Sequence, residues 1–218
     1  MTEEEWLACD DPELLTCEDI GTRDRKWRLV LCACCRRVWK RLVDERSRRA
    51  IEQSERYADG LISDEEMGTA ESAAFAAWTE ISNKHGDSPW RAGSAAAAYS
   101  SQHSIPENDR SNAMGAVIEG FSKAARRTAE QRAQAQIIRD VFGNPFRLVA
   151  FFPSWRTDTV VALAQQMYAS RDFSAMPILA DALQDAGCDN ADVLDHCRDP
   201  KGVHVRGCWV VDSVLGKA

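Results

Sequence analysis

Apolar residues recur along this chain at intervals of three and four positions, the period of a helix that buries one stripe. The clearest case runs from Asp24 to Leu42, where Trp27, Leu31, Cys34, Cys35, Val38 and Leu42 share a face and Arg36, Arg37, Lys40 and Arg41 lie off it. Thr2 with Glu5, and Ser63 with Glu66, have capping-box spacing, in which each side chain takes up a backbone N–H of the other. They predict one helix starting at Glu3 and another running from Ser63 to about Ser82. Asp44 predicts a helix cap for a segment through Tyr57 that stops at Gly60. Met114, Val117, Ile118 and Phe121, then Ile137, Ile138, Val141 and Phe142, supply the buried face of a long central helix from near Asn108 to Phe142. Gly143-Asn144-Pro145 ends it, because glycine accepts the left-handed cap and proline cannot continue a helix.

Thr157 or Asp158 caps "TVVALAQQMYAS", and short helices follow in "SAMPILADALQDAGC", in "ADVLDHC" after Asn190, and in "GCWVVDSVLG". No alternation of period two predicts a strand. The expected fold class is therefore all-α, a single helical domain over 1–218 with a long central helix and a C-terminal cluster of short helices. A subdivision into a bundle (1–142) and a C-terminal cluster (143–218) is allowed. Two segments fall outside the pattern. Asn83 to Arg110, rich in Ala, Ser, Gly and Pro, predicts a mobile loop holding one small Ala-rich turn, and "PFRLVAFFPSW", Pro145 to Trp155, predicts an extended buried connector.

A chain of 218 residues with 44% hydrophobic content can bury its own core. Its net charge of −7 argues against a protein that is wholly a polyanion binder. The charge is polarised: Arg23 to Arg56 holds 12 Lys/Arg against 5 Asp/Glu, and the remainder holds 15 against 29. The basic face of Arg36, Arg37, Lys40 and Arg41, with Arg48 and Arg49 beyond, can lie along a phosphate backbone; a solvated helix face is the preferred reading. "MTEEEWLACDDP" lacks the cationic start of a secretory signal, and "LVLCACC" is far too short to cross a bilayer. A cytoplasmic protein with no membrane span and reduced thiols is expected.

Candidate chemistry concentrates in "GCDNADVLDHCRDPKGVHVRGCW", with Cys188, His196, Cys197, His204 and Cys208. His204-x3-Cys208 suits half of a zinc site that needs two upstream ligands. His196 and Cys197 are adjacent on a helix and diverge by about 100°, so only one can face a shared ion. Cys32 and Cys35 form a C-x-x-C that offers either another half-site or a redox dithiol, although a mid-helix position lacks the acidifying helix N-terminus. The preferred reading is a structural corner, with no cofactor and zinc as the alternative. In it Cys188 and Cys197 pack as core, Asp189 or Asn190 caps a helix, Asp199 to Gly202 turns the chain, Cys208 faces inward beside Val211, and His204 and Arg206 are exposed contacts.

Signatures such as H-E-x-x-H, G-x-S-x-G and G-x-x-x-x-G-K-[ST] do not occur. The function expected is a non-enzymatic helical module that binds another protein; the alternative is a zinc-binding or nucleic-acid-binding regulatory protein. Trp6, Trp27, Trp39 and Trp78 fit core stripes, and Trp90 and Trp155 are expected as surface anchors.

The segments "EEEWLACDDP", "CACCRRVW", "RDVFGNPFR", "GCDNADVLDHCR" and "HVRGCWVVDSVLGK" resemble, over nearly the whole length, a paralogue-rich family of planctomycete-type bacterial proteins. The resemblance implies kinship and carries no activity, ligand or fold with it. "PILADALQDAGCDNADVL" is also similar to a short helical repeat-companion domain of the same bacteria, which implies an interaction role.

Overall fold

The structure is a computed structural model that describes residues 1–16, 24–86, 88–102, 104–119 and 124–217. The described residues form α-helices and contain no strand, as the apolar periodicity predicts. In chain order these are α1 (Glu3–Ala8), α2 (Pro12–Thr16), α3 (Asp24–Arg37), α4 (Glu45–Ala58), α5 (Asp64–His85), α6 (Pro89–Ser100), α7 (Glu107–Glu119), α8 (Ala124–Phe142), α9 (Asp158–Ser170), α10 (Met176–Asp185), α11 (Ala191–Arg198) and α12 (Trp209–Leu215). Over the span read as one central helix, α7 and α8 are both described; Phe121 lies outside the described residues. The chain groups into two compact units, Met1 with Ala8–Ala135, and Thr2–Leu7 with Gln136–Ala218.

In the first unit Trp27, Leu31, Cys34, Cys35, Val38 and Leu42 are buried as read, all at most a few per cent exposed, but α3 stops at Arg37 and a 3-10 turn at Trp39–Arg41 carries the chain between Val38 and Leu42. Asp44 accepts the Arg46 N–H at the start of α4, and Ser63 with Glu66 closes a complete capping box on α5. The expectation of a mobile loop over Asn83–Arg110 is overturned. α5 continues to His85, and the Ala-rich segment is the helix α6, with Ala95 to Ala98 buried and α3, α4, α5 and α7 packed around it. Ser88 caps it by accepting the Arg91 N–H, Pro89 occupies the first turn, and alanine has the highest intrinsic helix propensity. Small side chains let backbones approach, so a Cβ on Gly93 would lie 3.4 Å from the carbonyl oxygen of Arg41.

Cys32, Cys34 and Cys35 are interior groups, and Cys35 Sγ lies 3.3 Å from Ser100 Oγ. Burial pushes the Cys32 and Cys35 thiols up to about 12, so neither is the acidified thiol that dithiol exchange uses. An unfolded thiol titrates near about 8.5. Above that pH the unfolded chain gives up protons that the folded chain keeps, and folding stability falls as pH rises toward 12, by on the order of 1 kcal/mol per pH unit for each thiol. Urea unfolding at about pH 8 and pH 10 should show a clear loss at the higher pH. Equal midpoints would refute this placement of the thiols.

The second unit is built on a core in which Val160, Ala164 and Met167 of α9, Leu179 and Leu183 of α10, Val193 and Cys197 of α11, and Val211 and Val214 of α12 are buried together. Thr157 caps α9 and Asn190 caps α11 through side-chain oxygens. α1 belongs to this unit: Trp6 is fully buried, and Arg139 donates to the Trp6 carbonyl at 3.1 Å. Two expectations are corrected here. Trp155 is buried, 4% exposed, against the edges of Phe151 and Phe152, because the short 3-10 turn at Pro153–Trp155 swings its ring inward. The connector before it is not buried as a whole. Val149 and Phe151 point to the core, while Phe146, Leu148 and Phe152 are exposed, Leu148 at 98%.

Candidate metal centre

Four segments of the second unit bring polar side chains to one point. α8 ends at Gly143, whose φ of +72° admits glycine readily, and a Cβ there would sit 3.2 Å from the Trp209 ring. The Trp209 ring therefore packs close to the end of α8, and the preceding residue, Cys208, lies near Asp140 one turn back on that helix. Asn190 fixes the phase of α11 so that Cys197 turns into the core and His196 turns out of it, the divergence expected of helical neighbours. The turn at Asp199–Gly202, closed by Gly202 N–H on the Asp199 carbonyl at 3.1 Å, then returns the chain so that His204 faces Asp140.

The result is a compact donor set. His204 Nδ1 lies 3.0 Å from Asp140 Oδ1, His196 Nε2 lies 3.2 Å from the same oxygen, and His196 Nε2 lies 3.2 Å from Cys208 Sγ. One ligand atom from each of the four residues falls within 4.8 Å of every other. Asp140 Oδ2 accepts the Val205 N–H at 2.9 Å, which orients the carboxylate and leaves Oδ1 to the imidazoles. Asp140 is 2% exposed, His204 7% and His196 19%.

The electrostatics of the set are unbalanced. Burial pushes the Asp140 carboxyl up, but hydrogen bonds from His196 and His204 outweigh it and hold the group below the usual carboxylate range. Burial, with the Asp140 charge beside it, pushes the Cys208 thiol well above its ordinary value, against a smaller opposing pull from backbone N–H groups of Val210 and Val211. Cys197 is pushed up to about 12, first by burial and then by Asp140. A dication resolves the imbalance, since one carboxylate, one thiolate and two neutral imidazoles around it sum to zero.

A nucleophile–imidazole–carboxylate relay does not run through His196. In a nucleophile–imidazole–carboxylate relay the two ring nitrogens serve different partners. Here His196 meets both Cys208 and Asp140 through Nε2 alone, so the contacts converge on a point instead of forming a chain. Ligand atoms of a tetrahedral zinc ion stand about 3.3–3.8 Å apart, given bonds of about 2.0–2.3 Å. The three contacts at 3.0–3.2 Å lie slightly inside that spacing, and the four ligand atoms together lie within 4.8 Å of one another.

Comparison with known protein families, with curated proteins and with solved structures finds no match for this chain.

Of the candidate ligands read from the sequence, His196, His204 and Cys208 are brought together, and Asp140 is the partner that reading lacked. Cys188 and Cys197 pack in the core, and Cys32 and Cys35 belong to the interior of the first unit. The inward Cys208, the Asn190 cap and the Asp199–Gly202 turn are as read. His204 is corrected from exposed contact to buried donor, because Asp140 draws its ring inward. Arg206 is half-buried, its guanidinium 4.5 Å over the Tyr168 ring.

The basic face of the first unit is largely engaged within the chain. Arg36 pairs with Glu55 at 2.8 Å and stacks over Trp39, and Arg37 pairs with Glu130 at 2.9 Å. Lys40 is exposed and Arg41 half-buried. Trp90 is 45% exposed, edge-on to His85.

Proposed function

We propose that this chain is a non-enzymatic helical protein whose C-terminal unit is organised by one divalent ion of the zinc class, held by Asp140, His196, His204 and Cys208. The observation that carries the reading is the convergence of four donor atoms, from α8, α11, the 203–207 loop and the start of α12, within 4.8 Å. Four protein ligands make the closed set of a structural ion, whereas a catalytic zinc keeps a position open. A donor set of one sulfur, two nitrogens and one oxygen favours zinc over magnesium or calcium, which take oxygen shells.

Titration calorimetry of the metal-free protein with zinc at about pH 8 tests it. Binding should saturate at about one ion per chain and release about one proton, the Cys208 thiol proton, since Asp140 already sits as carboxylate. Binding with no sulfur-derived proton, or stoichiometry well below one, counts against the site.

A second reading, association with another protein, is favoured by the exposed side chains of Phe146, Leu148 and Phe152 on one irregular segment. In-cell cross-linking should join this segment to a second protein, and Leu148→Asp should remove that cross-link; a cross-link that survives the substitution rules the segment out.

A further inference from the structure

We propose that residues 148–152 pair as a β-strand with the same segment of a second copy of this chain, in an antiparallel, twofold-symmetric contact. The inference rests on the association reading above and names its partner. Its starting point is a stretch of backbone that the fold leaves open. Between Arg147, whose N–H closes a turn on Asn144, and the 3-10 turn at Pro153–Trp155, side chains alternate: Leu148, Ala150 and Phe152 are exposed, while Val149 and Phe151 pack on the core of the second unit. Alternation of period two is the geometry of an extended strand, and Phe152 has φ −79° and ψ 138°. Among the described residues, no hydrogen bond is made by the N–H groups of Leu148 to Phe152 or by the C=O groups of Leu148 to Phe151.

An open strand edge is a template for another strand, because each free N–H and C=O can take a main-chain partner at the strand spacing. Proteins that keep such an edge single place a charge, a proline or a bulge on it. Leu148 to Phe152 are all uncharged, and the nearest prolines, Pro145 and Pro153, stand outside them. The described residues contain no other strand that could cover the edge. A second copy brings an identical open edge, with the same free donors and acceptors and the same apolar side chains.

The segment also fits itself in register. In an antiparallel pair with Ala150 on the axis, Leu148 stands opposite Phe152 of the second copy on the outer face, and Val149 stands opposite Phe151 on the core side. Ala150 meets only its own methyl group across the axis. Arg147 falls opposite Pro153, which has no N–H and ends the ladder. A parallel pair in register would instead set Arg147 against Arg147, and like charges directly opposite weaken a ladder. Leu148 and Phe152 are 98% and 54% exposed, and even doubled by the twofold their surface falls well short of the roughly 1,200 Å² of a permanent interface, so the contact is reversible.

Sedimentation velocity of the full chain, from micromolar to submillimolar concentration, should show a reversible monomer–dimer equilibrium. Leu148→Lys and Phe152→Glu change outward side chains and leave the fold intact, and each alone should weaken dimerisation at least about tenfold, because the twofold counts every lost pair twice. Mixed in equal amounts, the two variants should dimerise better than either alone, since the introduced charges then oppose each other across one pair. Deuterium exchange supplies the main-chain readout: alternate amides of 148–152 should exchange fast in dilute solution and more slowly where the dimer is populated, which contact through side chains alone would not produce. A chain that stays monomeric throughout, a dimer indifferent to both substitutions, no recovery on mixing, or amides that exchange alike at every concentration would overturn the proposal. If the pure chain is monomeric while cross-linking in cells joins the segment to a different protein, the association reading stands and pairing with a second copy falls; with no cross-link either, both fall.

Discussion

Zinc supplied at a thousandfold over its dissociation constant should stabilise this protein by about 4 kcal/mol, and His196→Ala should cut that gain to about 1.4 kcal/mol or less. An ion that binds the folded chain alone adds stability in proportion to the logarithm of its excess, and an unfolded chain cannot keep donors from four separate segments together. His196 is central because its Nε2 touches both anionic ligands, Asp140 Oδ1 and Cys208 Sγ, at 3.2 Å. Without it, three ligands remain and affinity should fall by about a hundredfold or more. The metal-free proteins provide the control. At 19% exposure the imidazole makes a modest contribution of its own, so wild type and variant should differ by only about 1–2 kcal/mol before zinc is added. Equal stabilisation of both by zinc would place the ion elsewhere.

Ala98→Leu should destabilise the first unit by about 3 kcal/mol, at the upper end of what overpacking costs. Ala50 of α4, Ala74 of α5 and Ala98 of α6 are each fully buried and in contact, flanked by Phe75 and Trp78. Three helices meet there at the distance that methyl groups allow. A leucine on α6 must push out a helix or force a strained rotamer, because packed interiors hold no spare volume. Ala76→Leu, on the exposed face of α5, is the control and should change stability by less than about 0.5 kcal/mol. Denaturant midpoints for both variants decide it. Near-neutral behaviour of Ala98→Leu would mean that α6 is not held in this three-helix contact.

The helices that were legible carried contrast. The α3 stripe sets large apolar groups against arginines, and Ser63 with Glu66 writes a reciprocal cap into the chain. α6 has no such contrast: "PWRAGSAAAAYS" is small on every side, because it is surrounded by helices on every side, and its composition imitates a linker. The signal that existed was local, Ser88 ahead of Pro89 ahead of a run of alanines. Three of the four ligands of the candidate centre, His196, His204 and Cys208, were legible as candidates, and Asp140 was not. His204-x3-Cys208 has ligand spacing, whereas Asp140 stands far upstream with no spacing relation to either histidine. Its hint was a single carboxylate set into the apolar run Ile137, Ile138 and Val141, a charge on a buried stripe that needs a partner. His204 was misplaced because loops are usually wet, and sequence does not show that the loop folds back over a buried carboxylate.

The most direct test of the four-ligand centre is the absorption spectrum of the cobalt(II)-substituted protein, which reports coordination geometry and sulfur ligation together. Our account predicts intense ligand-field bands of tetrahedral cobalt with a thiolate-to-metal charge-transfer band in the near ultraviolet, the latter lost in Cys208→Ser. A weak octahedral spectrum without charge transfer, or one unchanged by Cys208→Ser, would contradict it.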